Sequence, residues 1–194
     1  MAKTAFKQPN ILTIEFRQER GDPDYGSCLW ANFNFDLERY ELTIMSDCGN
    51  YAYGWVQTPQ SESFMHLMAR LDWGYLLDKI ASRNQVDDEA TFANVKTLIA
   101  DWGVDPDNPE DLEEHPELDM DRVESACNGY TQSEVYQSLL KAFDGTPLED
   151  CDGYDVICCV EMDFTANAKK IARVFVDFIQ PLCKEWLAKH EPAL

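Results

Sequence analysis

CLWANFNFDLERYELTIMSDCGNYAYGWV, residues 28–56, decides the fold. Apolar side chains recur at every second position: Leu29, Ala31, Phe33 and Phe35, then Leu42 and Ile44, then Tyr51, Tyr53 and Trp55. Side chains alternate between the two faces of a strand, so this period predicts half-buried strands over 28–35, 40–46 and 51–56. The connections between them, DCGN (47–50) among them, are too short for a crossover and make the strands antiparallel. Upstream, ILTIEFR (11–17) repeats the alternation through Leu12, Ile14 and Phe16, and GDPDYGS (21–27) supplies turn residues before the next strand. A four-stranded meander follows.

The period then becomes helical. After Ser61, an expected N-cap, Phe64, Leu67, Met68 and Leu71 share one face, with a break expected at Gly74 before YLLDKIA. Asp87 caps the next helix, whose apolar face is Phe92, Val95, Leu98, Ile99 and Trp102 and whose stop is Gly103. Thr131 and Glu134 have capping-box spacing for VYQSLLKAF, which Gly145 ends. YDVICCVEMDF (154–164) alternates through Val156, Cys158, Val160 and Met162 and predicts a fifth strand. Thr165 opens a long helix with the stripe Ile171, Val174, Phe175, Phe178, Ile179, Leu182, Trp186 and Leu187, and Pro181 is expected to kink it at the carbonyl of Asp177. The expectation is an α+β fold, with an antiparallel sheet of about five strands packed by helices and a long C-terminal helix. Length predicts one domain, 1–194, with an acidic insertion around 103–124 that Pro106, Pro109 and Pro116 interrupt.

Charge narrows the function. The chain carries 36 acidic and 16 basic residues, a net charge of −20, which opposes direct contact with nucleic acid or anionic membrane. MAKTAFKQPN has no apolar core of a secretory leader, no apolar run nears the roughly 20 residues of a membrane span, and the seven cysteines form no C-x-x-C pair. A cytoplasmic protein with reduced thiols is expected.

Acids concentrate in DWGVDPDNPEDLEEHPELDMDRVE (101–124), which holds eleven carboxylates and one basic residue, Arg122. Calcium fails here: from Asp105 an EF-hand would need Gly at 110 and Glu at 116, where Glu110 and Pro116 stand. His66, His115 and His190 are far apart and adjacent Cys158 and Cys159 would face opposite ways on a strand, so neither zinc nor any other metal or cofactor is expected. Cys48 with His66 as base is the one nucleophile–base pairing to weigh, and with no supporting motif the expectation is a non-enzyme. Asn108 and Pro109 start a short helix that ends at His115; a second segment near 117–127 buries Met120, Val123 and Cys127 and leaves Glu117, Asp121 and Glu124 outside. Eleven acids over the about 36 Å of a 24-residue helix is one per about 3.3 Å, close to the about 3.4 Å per phosphate of one DNA strand. Asp105, Asp107, Glu110, Asp111, Glu113, Glu114, Glu117, Asp119, Asp121 and Glu124 are therefore the expected partner-binding residues.

SDCGNYAYGW (46–55) with ESFMHLMARLDWGYLLDKI (62–80), and more weakly DFTANAKKIARVFVDFIQP (163–181), resemble small phage and prophage proteins of the acidic, anti-CRISPR-like class. The resemblance implies inhibition of a host nucleic-acid-binding defence protein, such as a CRISPR effector, by an acidic surface standing in for DNA. It carries no catalytic residues. The alternative is a non-catalytic interaction module whose acidity serves solubility and whose contacts run through Tyr51, Tyr53 and Trp55.

Overall fold

The computed structural model describes residues 8–57 and 62–191. The chain forms two units: residues 1–82 with 165–194, and residues 83–164. The expected cap Ser61 lies outside the described residues.

In the first unit, β1 (Ile11–Arg17), β2 (Trp30–Asp36), β3 (Glu41–Ser46) and β4 (Gly49–Gly54) form an antiparallel sheet in the order β1-β2-β3-β4. Registers Phe33↔Ile44 and Ile44↔Tyr51 line up the alternating apolar residues, so Ala31, Phe33, Phe35, Leu42 and Ile44 are buried on one face while Thr13, Asn34 and Met45 take the other. Leu29 sits ahead of β2 and is exposed, and Cys28 is buried in its stead. Tyr51, Tyr53 and Trp55 are half-buried on the inner side: Trp55 packs on Phe64 at 5.6 Å and donates its indole N–H to Tyr75 Oη at 3.2 Å.

Helices of the same unit cover that inner face. α1 (Phe64–Met68) is capped by Ser63, and α2 (Trp73–Ile80) by Asp72, whose carboxylate accepts from the Tyr75 amide at 2.9 Å. The break therefore falls at 69–72 and Gly74 is helical, because an Asp cap satisfies the orphan amides where a glycine cannot. α8 (Ala166–Val174), a π turn (Phe175–Ile179) and α9 (Gln180–His190) run on without a break. The π turn stands just before Pro181: with no proline N–H to serve Asp177, the Gln180 amide reaches back five residues to the Phe175 carbonyl. Ile171, Val174, Phe175 and Ile179 are buried as expected, whereas Phe178 and Leu182 are exposed, Phe178 leaning on Phe16 at 5.0 Å. Gln180 is buried and donates to the carbonyl of Leu71 at 2.7 Å, in the link between α1 and α2.

The second unit is mostly helical: α3 (Asp88–Asp101), α4 (Pro109–Glu114), α5 (Met120–Ala126), α6 (Gln132–Phe143) and α7 (Gly153–Cys159), with two-residue strands β5 (Gln85–Val86) and β6 (Met162–Asp163) paired antiparallel. Its core is Val95, Ile99, Val123, Cys127, Val135, Leu139, Phe143 and Val156. The fold is α+β, with the expected meander and long C-terminal helix. The late strand is corrected to α7 followed by the two-residue β6. Val156, Cys159 and Val160 also satisfy a helical i, i+3, i+4 pattern, and Asp152 Oδ1 accepting the Tyr154 amide at 2.9 Å starts the helix. Consequently Cys158 is exposed and Cys159 buried, the reverse of the strand reading. Trp102 is likewise exposed, as the cap residue beyond α3.

Candidate functional site

The units differ sharply in charge. Residues 83–164 hold 22 acidic and 4 basic residues, a net −18; the remaining 112 hold 14 and 12, a net −2. None of the 22 carboxylates is buried: Asp87, Asp111 and Asp163 are half-buried and the others exposed. Such self-repulsion opposes folding, and helix ends offset part of it. Asp88 and Glu89 lie in the first turn of α3, Glu110 and Asp111 in that of α4, Asp121 in α5, Glu134 in α6 and Asp155 in α7, each at the positive end of its helix dipole.

Residues 101–124 are built from such caps. Asn108 Oδ1 accepts the Glu110 amide at 3.2 Å, and Pro109 occupies the first helical position of α4. Asp119 Oδ1 accepts the amides of Asp121 and Arg122 at 3.1 and 3.2 Å and starts α5. Leu118 and Val123 are buried and Met120 half-buried, so the second segment is pinned on its apolar side and Glu117, Asp121 and Glu124 stay outside. Arg122, the stretch's one cation, donates to the Lys141 carbonyl on α6.

The ten expected binding residues do not all have free carboxylates. Asp111 accepts from the Asp105 amide at 3.0 Å and from Asn108 Nδ2 at 2.8 Å, while Asp105 accepts from the Asp107 amide at 3.0 Å. Asp107 pairs with Lys96, and Asp119 is a cap. Glu117 lies 3.3 Å from His115 Nδ1, and its own backbone amide, then His115, hold its carboxyl below the ordinary value. Glu110, Glu113, Glu114 and Asp121 have no hydrogen-bond or ion-pair partner for their side chains among the described residues. Two concavities in the unit extend the acidic surface beyond the expected stretch. One, about 450 Å³, is lined by Asn94, Asp101, Trp102, Asp155, Cys158 and Cys159. The other, about 330 Å³, is lined by Asp88, Glu89, Phe92, Glu124 and Asn128.

Residues 10–185 match the model of a family described as a phage family. The chain belongs to that family. No curated protein and no solved structure matches it. No helix among the described residues of this phage protein is long and apolar enough to cross a membrane.

Cys48 and His66 have separate partners. The Cys48 thiol is buried and donates to the Ser27 carbonyl at 3.3 Å, whereas His66 Nδ1 meets Ser63 Oγ at 2.8 Å and Glu191 at 3.2 Å. A cluster that sequence spacing did not expose lies at the same turn: Cys28 Sγ, an Asp47 carboxylate oxygen and Cys48 Sγ are all within 4.8 Å of one another. Burial, then the neighbouring Cys48 and Asp47, push the Cys28 thiol far up. Burial also acts upward on Asp47, but the amides of Leu29 and Trp30, at 2.9 and 3.3 Å, leave its carboxyl below the usual range. The signal was present only as Cys28 and the pair Asp47-Cys48, far apart in sequence until β2 and β3 pair.

Proposed function

We propose that this phage protein is a non-catalytic inhibitor that binds a basic, nucleic-acid-binding host defence protein through the surface of residues 83–164. A CRISPR effector is the specific target class intended. The observation that carries the reading is the segregation of charge, −18 in the second unit against −2 in the first. Acidity serving solubility alone would have no need to spare one unit. Carboxylates held on capped helices present fixed negative charge to a Lys/Arg groove, and the acid-lined concavities on α3 suit protruding basic side chains. Inhibition is then competition, with carboxylates occupying the positions that phosphates otherwise take.

The test is DNA binding by a purified CRISPR effector, titrated with this protein across a salt series. Affinity should fall by about tenfold or more from low to moderately high salt, because exposed charge pairs are screened. Glu113→Gln, Glu114→Gln, Glu117→Gln and Asp121→Asn combined should weaken inhibition with the fold intact. Salt-independent affinity, or unchanged inhibition by the fourfold variant, refutes the reading.

A further inference from the structure

Two cysteines and a carboxylate converge beside the turn that joins β3 to β4, in the unit that carries almost none of the net charge. Cys28 is fully buried just ahead of β2, and Cys48 is buried in the turn next to the exposed Asp47. Their three ligand atoms lie within 4.8 Å of one another. We propose that Cys28, Asp47 and Cys48 bind one zinc ion through two thiolates and a carboxylate oxygen, with a fourth position open to water on the Asp47 side.

Geometry supports this first. Zinc–sulfur bonds of about 2.3 Å in a tetrahedron set sulfur atoms about 3.8 Å apart, so bringing the two sulfurs to that spacing needs a contraction of about 1 Å or less. The backbone around it is held in place. Ser46 Oγ donates to the Gly49 carbonyl at 2.6 Å and accepts from the Cys48 amide at 3.2 Å, and Tyr51 Oη donates to the Cys48 carbonyl at 2.8 Å. Gly49 takes φ +113°, the left-handed conformation this tight turn requires. On the other side, Asp47 is oriented by the amides of Leu29 and Trp30, which fixes it against the segment bearing Cys28. Supporting hydrogen bonds of this kind are what hold metal ligands in register.

Chemistry selects the ion. Two sulfurs suit zinc, whereas calcium and magnesium require oxygen ligands. Without a cation the two thiols, the Asp47 carboxylate and the Tyr51 hydroxyl share one corner. A divalent cation bound there is attracted to the Asp47 carboxylate and to both thiolates. Binding exchanges two thiol protons for two zinc–sulfur bonds while Asp47 enters already ionised, so two protons leave per ion and no electron moves. The ion would tie the connection preceding β2 to the β3–β4 turn. The inference is independent of the acidic surface.

The experiment is titration of the reduced, chelator-treated full-length protein with Co²⁺, followed by displacement with Zn²⁺. One equivalent should produce a thiolate-to-cobalt charge-transfer band, with proton release. The band should vanish in Cys28→Ser and in Cys48→Ser and persist in Cys159→Ser. No band in the parent protein, or a band that survives unchanged in either Cys28→Ser or Cys48→Ser, overturns the proposal. Should Cys28→Ser fail to fold by circular dichroism, the turn variants decide. Cys48→Ser must abolish the band, and Asp47→Asn must weaken Co²⁺ binding by about tenfold or more; normal binding by either overturns the site.

Discussion

Val123 is the side chain on which the acidic stretch depends for its place. It is fully buried in α5, two residues from Asp121 and next to Glu124, both of which are exposed. Val123→Ala removes two carbons, a transfer loss of about 1.6 kcal/mol at about 0.8 kcal/mol per buried group. If the surroundings do not relax, a cavity of about 50 Å³ adds about 1.2 kcal/mol at about 24 cal/mol per Å³. The expected loss is therefore between about 1.6 and 2.8 kcal/mol, or a roughly 15- to 100-fold rise in the open population. Native-state hydrogen exchange under mild urea, followed on amides of 120–143, reads this directly. Glu124→Gln is the contrast: an exposed carboxylate should change local stability by no more than about 0.5 kcal/mol, and relief of repulsion favours a gain. A loss below about 0.5 kcal/mol for Val123→Ala, or equal losses in the two variants, would sink the argument that α5 is anchored by its apolar side.

Thr131→Ala removes half of the capping box in which Thr131 Oγ1 and the Glu134 carboxylate serve each other's amides at 3.2 Å, and urea unfolding should show a loss of about 1 kcal/mol. Burial pushes the thiols of Cys127 and Cys183 up to about 12 and that of Cys159 to about 11, from an ordinary 9.0. Unfolded thiols thus ionise first, so stability should be full below about pH 9 and fall as pH rises toward about 12, a decline that Cys183→Ala should flatten in urea midpoints measured against pH.

The meander was legible because one sheet face is buried, and burial on one face writes a period of two into the chain. Caps were legible for a similar reason: Asp87, Asn108 and Thr131 act within three residues of themselves. Residues 154–164 were not, since Val156, Cys158 and Val160 satisfy one period and Val156, Cys159 and Val160 the other. Packing on α3 settled it: Asn94 Nδ2 donates to the Cys159 carbonyl at 3.2 Å and takes up one of the end groups of α7. Within the acidic stretch, the number of carboxylates was readable but their availability was not. Asp111 accepts from the Asp105 amide and the Asn108 side chain, and Asp119 from the Asp121 amide.

By itself the sequence determined the class of fold, the acidic character and the two capped pieces around Pro116, all of which follow from residues close together in the chain. Only the tertiary structure decided that nearly all the net charge belongs to one of two units, because the boundary at 82 and 164 is a matter of which segments pack together. It alone brought Cys28 to Asp47 and Cys48. That meeting depends on the register Ala31↔Ser46, and strand pairing is a contact between distant residues that no local pattern contains.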